Sequence, residues 1–158
     1  MAVIVSAVEH ALQQAGISVT AQFPQGQMPR LTAAKAAVEL RSLQAEQGGF
    51  LNYLGITEDP ERGPLERYGK KAAGAVLVRI CGPDAACVRT AAETALEALA
   101  FGDFAVTVEE VLAEETVFDP ARDFFYKDLT VRFSALLCAA AAADGTGFLD
   151  FKLEGEII

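Results

Sequence analysis

The chain has 158 residues, 52% of them hydrophobic, and a formal net charge of −9. That length suits one domain over residues 1–158, able to bury roughly 68–70% of its unfolded surface without a disulfide or a metal. The acidic balance makes it a poor counterion for nucleic-acid phosphates or an anionic membrane, so neither is an expected partner.

The charge is uneven. Residues 1–61 sum to −3, residues 62–89 to +4 and residues 90–158 to −10. A basic segment and an acidic half on one chain suit head-to-tail contacts between subunits; two solvated faces are the plain alternative. Cys81, Cys87 and Cys138 are odd in number and lack a C-x-x-C spacing, which argues against a disulfide framework and fits a reducing compartment. Cys81 and Cys138 fall in apolar patterns and are expected as buried thiols. The opening residues lack the basic region of a secretory leader, so none is expected. No apolar run reaches the roughly 20 residues of a membrane-spanning helix.

Residues 3–15 predict a helix, with Ile4, Val5, Val8, Ala11, Leu12 and Ala15 as its apolar stripe. Gly16 is placed to end it in a left-handed conformation. Ile17, Val19 and Ala21 then alternate with polar residues as a short strand, and the Pro- and Gly-containing run from Phe23 is loop. Residues 34–45 combine helix-favouring alanines with strand alternation, and a strand is expected: Ala36, Val38, Leu40 and Ser42 on one side, Ala37, Glu39, Arg41 and Leu43 on the other. Residues 46–66, punctuated by Gly48, Gly49, Pro60, Gly63 and Pro64, read as a long connecting loop.

Residues 67–81 predict a long strand, Val- and Ile-rich, with Arg79 marking a face that reaches solvent. Asp84 is a candidate N-cap for a helix with Val88, Ala91, Ala92, Ala95, Leu96 and Leu99 buried, ended by Gly102. Residues 104–112 predict a strand with Phe104, Val106 and Val108 on one side. Asp119-Pro120 marks a turn. Residues 123–141 predict a long strand, with Leu129, Val131, Phe133, Ala135 and Leu137 facing the core. A turn at residues 144–147 precedes a short final strand holding Phe148, Phe151 and Leu153, and Ile157 and Ile158 make an apolar end that is a candidate docking segment. The expected fold class is α+β: a mostly antiparallel sheet with two main helices packed on one side.

The chain offers little chemistry. His10 is the only histidine and falls between helix stripe positions. No phosphate-binding glycine loop, nucleophile elbow or usual zinc-ligand spacing occurs. The paired carboxylates Glu109-Glu110 and Glu114-Glu115 read as a solvated acidic edge. No catalytic residue, cofactor or metal is expected, and the chain is not expected to be an enzyme.

Several segments carry a resemblance when taken in order. They are Phe50-Leu51-Asn52-Tyr53-Leu54 with Gly55, then Glu66-Arg67-Tyr68-Gly69-Lys70-Lys71 leading into the Val-rich strand. The Ala-rich helix over 85–100 follows, then Phe118-Asp119 with Asp123, the alternating strand 129–137, and residues 148–153. Over residues 34–158 this pattern resembles a small protein encoded in tail-assembly regions of phages and prophages of Gram-positive bacteria. More broadly, it resembles the tail-terminator and tail-completion proteins. The resemblance implies a non-catalytic α/β subunit of a hexameric ring that caps the tail tube. Its partners would be itself and tail tube or connector proteins, in the bacterial cytoplasm during assembly and then in the virion tail. A head–tail connector or baseplate component is the alternative within that class. A small ligand-binding or enzymatic α+β domain is the alternative outside it, and would need a concave pocket with convergent polar groups. The candidate subunit-interface residues are Phe50, Tyr53, Leu54, Arg67, Tyr68, Lys70 and Lys71, acting by aromatic anchoring and by charge pairing with a neighbour's acidic half.

Overall fold

The structure, a computed structural model, describes residues 2–24, 26, 29–47, 52–102, 106–142 and 152–154. Phe50, Phe104, residues 144–151 and Ile157 and Ile158 lie outside these, and so do the expectations attached to them.

Helix α1 spans Ala2–Gln14. Ile4, Val8, Ala11 and Leu12 are buried, as their three- and four-residue spacing requires. Gly16 follows at φ 83°, a left-handed conformation that side-chain-bearing residues avoid, and the chain turns into the short strand β1, Ser18–Thr20. β2 is Lys35–Gln47, β3 Tyr53–Asp59 and β4 Gly63–Gly82. Helix α2, Ala85–Phe101, is capped by Asp84, whose carboxylate accepts from the Cys87 backbone N–H at 2.8 Å. The remaining strands are β5, Thr107–Ala113; β6, Val117–Asp119; β7, Phe124–Ala142; and β8, Lys152–Glu154.

All the strands join one sheet, and its spine is the antiparallel pair β4 and β7, in unbroken register from Leu65↔Ala142 to Gly82↔Phe125. Along the outer side of β4 lie β2 and then β3, end to end. Along the outer side of β7 lie β6, β5 and β8. Among the described residues only β1 pairs in parallel, with β2. Both helices cover one face. Val76, Val78 and Ile80 of β4 and Leu129, Val131 and Phe133 of β7 pack there with Val8 and Leu12 of α1 and Val88, Ala95 and Leu99 of α2. Each such fully buried Val, Leu or Phe contributes on the order of 1.5–3 kcal/mol. The fold is therefore α+β, mostly antiparallel, with the helices on one side, as expected.

Two expectations are corrected. The described residues of 46–66 do not form a loop: Gln47 still belongs to β2, and β3 pairs with the start of β4 as a hairpin. Its turn hides behind Pro60 and Gly63. Asp59 Oδ1 accepts from the Glu61 and Arg62 backbone N–H groups at 2.9 and 2.8 Å, which holds this carboxyl below its ordinary pKa, and Gly63 follows at φ 77°. The side assignment in β2 also changes. A bulge at Arg41 breaks the register between Leu40 and Ser42, so Leu43 joins Leu40 against the core and Ser42 turns away.

Among the described residues no helix covers the opposite face of the sheet. At one end the segment after β1 crosses it, and Phe23 and Leu31 pack on Cys81, Phe124 and Tyr126 as a small second cluster. Burial pushes the Cys81 thiol up to about 12. Cys138 is also buried, so both thiols sit where the apolar pattern put them.

Candidate subunit interface

Beyond Ala72, β4 leaves the helices behind. Between Gly63 and Ala72 the buried residues are Gly69 and Ala72 alone, and the β3–β4 hairpin projects as an arm paired along one side with the end of β7. Successive side chains of a strand point to opposite faces. Because β4 keeps its register with β7, Tyr68 and Lys70 point to the helix-bearing side with Val76 and Val78. Arg67, Gly69 and Lys71 point to the helix-free side with Leu77 and Arg79.

The expected interface residues divide along that line. Tyr53 sits directly across from Tyr68, their rings edge to face at 5.7 Å between centroids. The Tyr68 hydroxyl donates to Glu66 at 2.7 Å, and this bond raises the phenol's pKa. Leu54 crosses to the other face, over Gly69 and beside Leu136. The bulge between Tyr53 and Gly55 then sets Gly55 opposite Arg67 and Ile56 opposite Glu66. Arg67 is half-buried on that same face, its Nη2 3.9 Å from the Cys138 sulfur. Tyr53 and Leu54 are exposed, and so are Lys70 and Lys71. The structure thus brings Tyr53 together with Tyr68, and Leu54 together with the Arg67 face. It sets Lys70 and Lys71 on opposite faces, where one flat surface cannot engage both.

The local charge also differs from the sequence count. Within residues 53–71, Glu58, Asp59, Glu61 and Glu66 balance Arg62, Arg67, Lys70 and Lys71, so the arm is neutral rather than basic. The other outer edge remains acidic. Residues 107–119 carry Glu109, Glu110, Glu114, Glu115 and Asp119 and no base.

Four further residues belong with this surface. Among the described residues eight large hydrophobic side chains are exposed, and six sit on outer strands: Tyr53, Leu54 and Ile56 on β3, Leu112 on β5, and Val117 and Phe118 on β6. Ile56 lay inside the expected loop. Leu112 ends the strand expected over residues 104–112. A bulge between Val108 and Glu110 re-phases β5, turning Val108 and Val111 inward and leaving Leu112 exposed. Phe118 keeps a ring contact with Phe125 at 4.9 Å while remaining exposed.

A cleft of about 450 Å³ opens on the helix-free face, between Ala21, Gln22 and Phe23 on one side and Glu39, Arg41, Leu77, Arg79 and Arg122 on the other. Its three arginines each lie beside a carboxylate. Arg79 forms a two-pronged pair with Asp128 at 2.7 and 2.6 Å and stacks 4.7 Å from the centre of the Tyr126 ring. Arg41 is 3.3 Å from Glu39, and Arg122 is 3.7 Å from Asp119. These pairs cancel in charge; Arg79–Asp128 joins β4 to β7, Arg41–Glu39 lies within β2, and Arg122–Asp119 within the turn after β6. No helix among the described residues is long and apolar enough to cross a membrane. No protein-family model matches the chain, and no curated protein matches it either.

Proposed function

We propose that the chain is a structural subunit of a phage tail or prophage tail-like particle, a tail terminator or completion protein that assembles with copies of itself into a ring. The observation that carries this reading is the collection of exposed apolar side chains on the outer strands at two opposite edges of one sheet. Soluble monomers rarely gather such side chains, and where they do the patch marks a contact surface. The segments that resemble tail-completion proteins include the β3–β4 arm and the Phe118-Asp119 turn, which lie at those two edges. In this reading the subunit acts in the bacterial cytoplasm during assembly and then in the virion tail, with tail tube or connector proteins as further partners.

The test is solution mass by light scattering across concentration, with negative-stain images of the same sample. Closed rings are the expected result. Lys71→Glu and Lys70→Glu, made separately, report which face of the arm meets a neighbour: one is expected to weaken assembly about tenfold and the other to leave it unchanged. A strict monomer, both alone and mixed with tail-tube protein, overturns the proposal.

A further inference from the structure

We infer that neighbouring copies join edge to edge and head to tail, with β3 of one subunit beside the β5–β6 edge of the next; this rests on the ring reading above. Both edges end the sheet, and no strand among the described residues pairs with the outer side of β3, β5 or β6. An open strand edge presents unpaired backbone N–H and C=O groups and is a template for another chain. Here each edge also exposes large apolar side chains: Ile56 is 60% exposed on β3 and Leu112 57% exposed on β5. β3 and β5 are each seven residues long, so neither overhangs the other.

Charge selects the pairing. A two-fold contact of the β5–β6 edge with itself would set Glu109, Glu114 and Glu115 against their own copies in a segment, 107–119, that holds no base, while Glu110 and Asp119 lie beside Arg132 and Arg122. The β3–β4 arm has as many bases as acids: β3 itself carries Glu58 and Asp59 at its turn end, and Arg62 in the turn with Arg67, Lys70 and Lys71 on β4 behind it offset the acids. The acidic edge therefore meets the arm of another copy in preference to its own equivalent. The two edges lie on opposite sides of the β4–β7 spine, so the contact is heterologous, the type that closes a ring or continues as a filament.

Two substitutions separate the edges. Ile56→Glu places a carboxylate on the β3 edge, and Leu112→Glu adds one to the β5 edge. Both side chains are more than half exposed, so circular dichroism and thermal melts should match wild type. Each variant alone is expected to be monomeric by sedimentation velocity where wild type assembles. An equimolar mixture retains one intact β3 edge and one intact β5 edge, and is expected to stop at two subunits. Ile56→Lys, which meets the acidic edge with a favourable charge, should retain at least ten times more assembly than Ile56→Glu. A mixture that stays monomeric, or variants that still form rings, overturns the edge pairing while leaving the ring reading standing. Wild type that never exceeds one subunit, even with tail-tube protein, overturns both.

Discussion

Asp128 is the one charged residue buried among those described, and its environment is set by Arg79 directly across the β4–β7 pair. The Asp128 side chain is 10% exposed and that of Arg79 35%, and hydrogen bonding to Asp128 raises the guanidinium pKa further above its ordinary value. Removing the carboxylate's charge leaves a partly desolvated cation without its partner. Asp128→Asn is therefore expected to cost about 2 kcal/mol in urea unfolding, below the full penalty of a buried pair because Arg79 still reaches water. The Arg132–Glu110 pair lies on the same sheet but is more than half exposed on both sides. Arg132→Ala should change stability by less than about 0.5 kcal/mol. Cys81 makes a second prediction. Its thiol ionises near 9.0 when unfolded and at about 12 when folded. Below pH 9 both states are neutral and nothing is lost. Above it the unfolded chain gains by ionising while the native thiol does not, so stability falls by about 1.4 kcal/mol per pH unit until the folded value is reached. Melts of wild type and Cys81→Ala between pH 8.5 and 10.5 should show the shallower dependence in the variant. Equal slopes would mean that Cys81 is not desolvated.

At the scale of elements, two glycines on neighbouring turns of the same strand serve different ends. Gly74 lies on the core face of β4, beside the bulge that re-phases β2. A Cβ there would collide with the Ser42 backbone carbonyl oxygen and come within 3.0 Å of the Phe133 ring. Neither neighbour yields easily, since one is backbone and the other a packed aromatic. Gly74→Ala is expected to lose about 3 kcal/mol. Gly69 lies on the arm, and a Cβ there would meet the tip of Leu54 at 2.5 Å. That tip can rotate towards solvent, so Gly69→Ala should cost less than about 1 kcal/mol of stability. Because it displaces an exposed side chain of β3, it should still weaken assembly. If Gly69→Ala unfolds the protein, or Gly74→Ala does not destabilise it, the division between core and arm along β4 is misplaced.

For the whole molecule, the decisive property is that one sheet has a covered face, an open face and two unlike edges. Two helices bury the apolar side of the β4–β7 spine. The strands continue past them into the arm, where Tyr53, Leu54 and Ile56 are exposed. Light scattering on wild type therefore tests the molecule's design as a unit: assembly that depends on concentration and weakens as the acidic and neutral edges are made alike. Salt should weaken it only in part, since exposed apolar side chains and backbone groups contribute beside the charges.

The sequence alone determined both helices, the strands β1, β2, β4, β5 and β7 and the covered face, because each rests on a local period. Leu129, Val131 and Phe133 alternate without interruption, and all three are buried. Asp84 and Gly16 punctuate their helices as their side-chain chemistry requires. It also singled out Tyr53, Leu54, Arg67 and Tyr68, which the hairpin gathers on two faces of one arm. Tertiary structure alone decided what the outer strands expose. Each of β2, β3 and β5 contains a bulge, and a single extra residue exchanges the two faces for everything that follows. No period-two count reveals it, which is why Leu43 turned inward and Leu112 outward; the β3 strand passed for a loop because Gly and Pro punctuate residues 46–66. Charge followed the same rule. The +4 of residues 62–89 is a property of the chain, but the hairpin folds Glu58, Asp59 and Glu61 back beside residues 62–71 and cancels the +3 that they carry, because strand pairing is set by register.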